Sequence, residues 1–165
     1  MLKRFCLLAV GTLLTACVSN PIPDDYRGPV STITDSALSQ GMVRVNLFYL
    51  SKVDGKAVNE TERATTDASR GGPLNARVVS RSVPAVSSTF TIVGHTHFLA
   101  PVFQIFGKTY EVSGDVTFTP LPDRTYVVVG VLSDTYSAVW IQDSQSGDLM
   151  GQRIEMRPQT PASPP

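Results

Sequence analysis

Tyr110-Glu111-Val112-Ser113-Gly114-Asp115-Val116-Thr117-Phe118-Thr119 is the stretch that decides the fold class. Tyr110, Val112, Gly114, Val116 and Phe118 share one parity, and Glu111, Ser113, Asp115, Thr117 and Thr119 share the other. Side chains alternate across a strand, so this pattern is that of a strand with one buried and one wet face. Working outward, Met42 to Leu50 repeats the alternation, with Val43, Val45, Leu47 and Tyr49 expected inward and Arg44 and Asn46 outward, before the turn dipeptide Asp54-Gly55. Thr125 to Leu132 is continuously apolar and β-branched, the mark of a central strand covered on both faces. Thr135 to Asp143, Leu149 to Glu155, Phe90 to Phe106 broken at Pro101, and Leu74 to Val79 supply further strands. About seven short strands cannot close a core as one flat sheet, so the expected fold is all-β, a small antiparallel β-sandwich, with a small β-barrel as the alternative.

The 165 residues are 42% apolar and 17% charged, which suits one folded domain. Lys and Arg number 14, as do Asp and Glu, so no net charge draws the chain to nucleic acid. The charges are unevenly placed. From Ala68 to Tyr110 the charged residues are the basic Arg70, Arg77, Arg81 and Lys108, whereas six acidic residues and only Arg124 lie between Glu111 and Asp148. Separate faces would let the first segment dock on an anionic glycan, lipid or protein. In a sandwich, where distant strands interleave, the two sets are expected to neutralise each other.

Lys3 and Arg4 precede an apolar run, Phe5 to Leu14, that is too short to cross a bilayer core of about 30 Å as a helix. The run ends in Leu14-Thr15-Ala16-Cys17, which resembles the lipobox of bacterial lipoproteins. The resemblance implies that residues 1–16 are a signal peptide and that Cys17 is the lipid attachment site and new first residue. Val18 stands where an aspartate often retains such proteins in the inner membrane, which implies the outer membrane, facing the periplasm. Two or more acyl chains give stable anchoring at about 0.8 kcal/mol per buried CH₂. Cys6 leaves with the peptide and Cys17 carries lipid, so no thiol remains for a disulfide, a zinc site or a nucleophile.

Residues 17–29 read as the lipidated cysteine and an extended tether containing Pro21, Pro23, Gly28 and Pro29; residues 30–156 as the β-sandwich; and residues 157–165 as a proline-rich disordered tail. The final hairpins, Tyr126 to Gly130 and Val139 to Asp143 before Gly147, look like strands of transthyretin-like and immunoglobulin-like sandwich modules of envelope lipoproteins. That likeness implies a fold class and no activity.

His95 and His97 lie at i, i+2, on one face of a strand, where two imidazoles can share a metal ion. Phe90, Ile92 and Phe98 take the opposite parity, so the pair faces away from the core unless Gly94 forms a bulge. A third ligand would have to be a carboxylate distant in sequence. The pair therefore reads as surface strand histidines, and no metal or cofactor is assigned. Local signatures of hydrolases and nucleotide loops are absent, so no catalytic residue is assigned and the chain is not expected to be an enzyme. Asn59 to Gly72 contains nothing more apolar than alanine and reads as a long loop; Asn59 and Glu62 offer caps for a turn, but no apolar stripe would hold a helix. Trp140 reads as core. The expectation is a lipid-anchored, non-catalytic envelope module acting through contacts with a protein partner. Binding of an anionic ligand or glycan by Ala68 to Tyr110 and the Asn59 to Gly72 loop is the alternative.

Overall fold

The computed structural model describes residues 20–105 and 107–157. The segments read as a signal peptide (residues 1–16), as a lipid attachment site (Cys17) and as most of a tail (residue 158 onward) lie outside the described residues. In chain order the elements are β1 (Val30–Thr34), β2 (Ser36–Ser39), β3 (Arg44–Val53), β4 (Lys56–Ala57), α1 (Thr61–Ala68), β5 (Ser80–Pro84), β6 (Ser88–Phe98), α2 (Pro101–Gln104), β7 (Glu111–Phe118), β8 (Thr125–Leu132), β9 (Ser137–Asp143) and β10 (Leu149–Met156).

Two sheets pack face to face. One has the order β10-β9-β8-β1-β5; the other has β2-β3-β6-β7, with β4 paired to β3. The strand pairs are antiparallel except β1 with β8, which run parallel. A parallel pair needs a long connection between its strands, and the chain between Thr34 and Thr125 supplies one. The fold is thus the expected small β-sandwich with one parallel pair inserted. A single residue, Asp35, separates β1 in the first sheet from β2 in the second, so the chain changes sheet there.

The core lies between the sheets and comprises Ile33, Val83, Tyr126, Val128, Val139 and Ile141 from the first, and Phe48, Leu50, Phe90, Ile92, Val112 and Val116 from the second. Phe90, Phe118 and Tyr126 form an aromatic chain with centroids 4.9 and 5.3 Å apart. The ring of Phe48 occupies space that glycines leave free. A Cβ on Gly130 would fall 2.5 Å from that ring and 2.3 Å from the carbonyl oxygen of Ala138, and one on Gly94 would fall 3.1 Å from the ring.

Several elements differ from the sequence reading, each for a physical reason. In β3 the residues expected inward, Val45, Leu47 and Tyr49, form a second cluster on the outer face with Ala37, Leu74 and Val93. Phe48 and Leu50 supply the main core, so β3 is buried on both sides. In β8, Val127 and Val129 are only half-buried and Val131 is exposed, because among the described residues nothing covers the outer face of that sheet as α1 covers the other. Trp140 shares this outer face and is half-buried, with the Arg153 guanidinium 4.1 Å from its ring centroid, rather than in the core. Leu74 to Val79 is extended but unpaired with any strand; the strand begins at Ser80. Beyond Pro101 the chain forms α2 instead of a strand. Residues 20–29, read as an extended tether, follow turns, and Tyr26 donates a hydrogen bond to the Pro29 carbonyl at 2.7 Å.

Candidate functional site: a carboxylate and two imidazoles under a polar helix

The segment from Asn59 to Gly72 holds α1, whose contact stripe consists of hydroxyls instead of apolar groups. Thr61, Thr65 and Ser69, spaced i, i+4 and i+8, are buried. Their oxygens accept hydrogen bonds from the backbone N–H groups of Val79, Arg77 and Asn75, each at 3.0 Å. The match is geometric: four helical residues rise about 6.0 Å and two extended residues about 6.6 Å, so alternate amides of the antiparallel strand-like segment meet successive hydroxyls. These bonds satisfy the amides that a β-ladder would otherwise use, which is why Asn75 to Val79 joins no sheet. Glu60, extended, occupies the N-cap without a side-chain capping bond, so neither Asn59 nor Glu62 serves as cap.

The N-terminal end of α1 is fixed by the Asp35 carboxylate, whose side chain is fully buried. It accepts from the Leu50 N–H at 3.0 Å, from Thr61 Oγ1 at 2.7 Å and from the two terminal nitrogens of Arg81 at 2.9 and 2.6 Å. A forked guanidinium on a carboxylate is the strong form of such a pair. Arg81 is itself buried, and its Nε has no partner.

So placed, α1 presents Glu62 to the outer face of the second sheet. Glu62 Oε1 lies 3.0 Å from His95 Nδ1, and its other oxygen accepts a short hydrogen bond from the Tyr49 hydroxyl. His97, one strand step pair further on β6, brings a third group: ligand atoms of Glu62, His95 and His97 all lie within 4.8 Å of one another. Gly94 keeps regular register with Phe48 and Val112, so no bulge intervenes and both imidazoles point away from the main core, as expected. They are not free on the surface, however, because α1 roofs them; the His95 side chain is 19% exposed. Glu111, directly opposite His95 on β7, adds a further carboxylate at the rim.

Electrostatics follow from this packing. The Glu62 carboxyl is held down to about 2, first by His95 and, against the opposing push of burial, by the Tyr49 hydroxyl. His95 is raised by Glu62 despite burial. His97 is lowered, chiefly by burial, which disfavours its charged form. Burial and then Glu62 push the Tyr49 phenol up, so it stays a donor. His95 Nδ1, although 3.0 Å from a carboxylate oxygen and out of contact with solvent, makes no aligned hydrogen bond.

Sequence reasoning found the two histidines but not Glu62 or Tyr49. The available signal was the Thr61, Thr65, Ser69 spacing, which predicts a helix with a hydroxyl face and sets Glu62 beside it. Within the basic segment, Arg81 is buried on Asp35, Arg70 pairs with Asp67 at 3.0 Å, and Lys108 pairs with Asp134 at 2.7 Å. Comparison with known protein families, with curated proteins and with solved structures gives no match, so the chemistry of this site rests on its own geometry.

Proposed function

We infer that this is a lipid-anchored protein of the bacterial outer membrane, acylated at Cys17 and facing the periplasm, whose non-catalytic β-sandwich works by contact with another envelope protein. The observation that supports this reading is one group of exposed apolar residues lying far from the point where the chain enters. Asn20, Pro21, Pro23 and Tyr26 line a cleft with Val53, Asp54 and Pro84, so the chain enters at the Val53 end of β3. At the opposite end, the β2–β3 turn and the α2 segment carry Met42, Val102 and Ile105, which are 89, 52 and 75% exposed. A cleft between them is lined by Gln40, Val43, Arg44, Phe98, Phe103 and Gly107. Ten residues of strand separate the two ends by about 30 Å. An apolar tip held away from the lipid surface suits a protein partner better than a membrane.

Two measurements test this together. Radiolabelled palmitate should mark the protein and should not mark Cys17→Ser; equal labelling refutes the anchor. Photo-crosslinking residues at Met42 and Val102 should capture one and the same envelope protein in cells, with the adduct lost in Ile105→Asp and absent from a crosslinker at Val86. Failure to capture, or capture that survives Ile105→Asp, refutes the contact reading.

A further inference from the structure

We propose that Glu62, His95 and His97 form a binding site for one divalent transition-metal ion of the zinc and copper class. Two imidazoles and one carboxylate, drawn from α1 and two positions of β6, already converge with their ligand atoms within 4.8 Å. Around an ion with bonds of about 2.0–2.1 Å, tetrahedral ligands lie about 3.4 Å apart, so small side-chain rotations complete the shell. Nitrogen donors favour zinc or copper over magnesium and calcium, which prefer oxygen shells.

Three further features fit a metal site better than a simple ion pair. His95 Nδ1 is buried 3.0 Å from Glu62 Oε1 without an aligned hydrogen bond, so the two groups lie close without forming a well-aligned pair. Glu62 is oriented by the Tyr49 hydroxyl, in the manner of the outer partners that commonly fix metal-bound carboxylates. His97 also lines an open cleft of about 330 Å³ with Thr66, Ser69 and Arg70, giving an ion access from solvent and leaving a fourth position for water. Three protein ligands with one open position distinguish this arrangement from a closed structural site.

The test is titration of the metal-free full chain in detergent. Zinc should bind with one-to-one stoichiometry by calorimetry, and cobalt should give the intense visible bands of a four-coordinate ion. His97→Ala removes one ligand without touching the Glu62, His95 and Tyr49 contacts, so its fold, checked by circular dichroism, should be retained while affinity falls at least about 100-fold. Glu62→Gln should weaken zinc binding in the same direction, and Asp115→Asn, on the exposed face of β7, should leave it unchanged. Absence of zinc binding, equal affinity in His97→Ala, or magnesium binding as tight as zinc overturns the proposal.

Discussion

Replacing Asp35 by alanine is expected to be among the most damaging single changes in this protein. The substitution leaves Arg81, whose side chain is only 7% exposed, without its counter-charge, and strips the Leu50 N–H and the Thr61 hydroxyl of their acceptor. Breaking a buried ion pair from one side costs about 3–5 kcal/mol. An orphaned backbone N–H costs about 1–3 kcal/mol more, and because the groups share one network the two figures overlap, giving a total of about 4–6 kcal/mol. Against a total stability of about 5–15 kcal/mol for a typical domain, that lowers the melting temperature by roughly 12–25 °C. Urea unfolding followed by circular dichroism measures the loss. The double variant Asp35→Leu/Arg81→Met removes both charges and should recover at least about 2 kcal/mol of it. A loss below about 1 kcal/mol in Asp35→Ala, or additive effects in the cycle, would refute the view that this pair fixes the sheet crossing.

Gly130→Ala should destabilise by about 3 kcal/mol or more, since its Cβ would meet the Ala138 carbonyl and the Phe48 ring and neither can withdraw; an unchanged melting curve would show that the sheets can part there. Thr65→Val keeps the volume but removes the acceptor for the Arg77 N–H, so that amide should exchange with solvent much faster, at a cost of about 1–2 kcal/mol; retained protection would mean that the hydroxyl row does not hold α1. The Asp143 carboxyl is held below its usual value by the backbone N–H groups of Ser146 and Gln145, so its stabilising effect is present above the unfolded value and is lost as pH falls through the lower folded one. The Gln145 and Ser146 amide resonances should therefore titrate with a midpoint below about 3.9; a midpoint at or above that value contradicts the turn geometry.

What was legible in the sequence follows from what hydropathy can register. β7 to β10 alternate or run apolar, and their strands were found close to their observed bounds. β1 and β2 escaped notice because Val30 to Ser39 fills inward positions with Ser31 and Asp35 beside Ile33, so its polar core contacts hide the strand period. β3 was found, but its inner and outer faces were exchanged, because both are apolar and only the presence of α1 explains the second. That helix left no apolar trace: its buried face is Thr61, Thr65 and Ser69, residues that a hydropathy scale treats as neutral. With α1 unread, the carboxylate that completes the histidine pair could not be named. The pair itself, and its outward parity, were plain from spacing alone.

The interior position of β1 in its sheet, between β8 and β5, has a mechanical consequence. A pull transmitted through residue 29 acts along β1, which is bonded to β5 on one side and to β8 on the other, with Thr32 to Thr34 partnered on both. Such a force loads those hydrogen bonds in shear, so they must yield together, whereas a strand at a sheet's edge can be peeled one bond at a time. Tension arriving at this end is therefore borne by the interior of the fold, with the Asp35 clamp next in line.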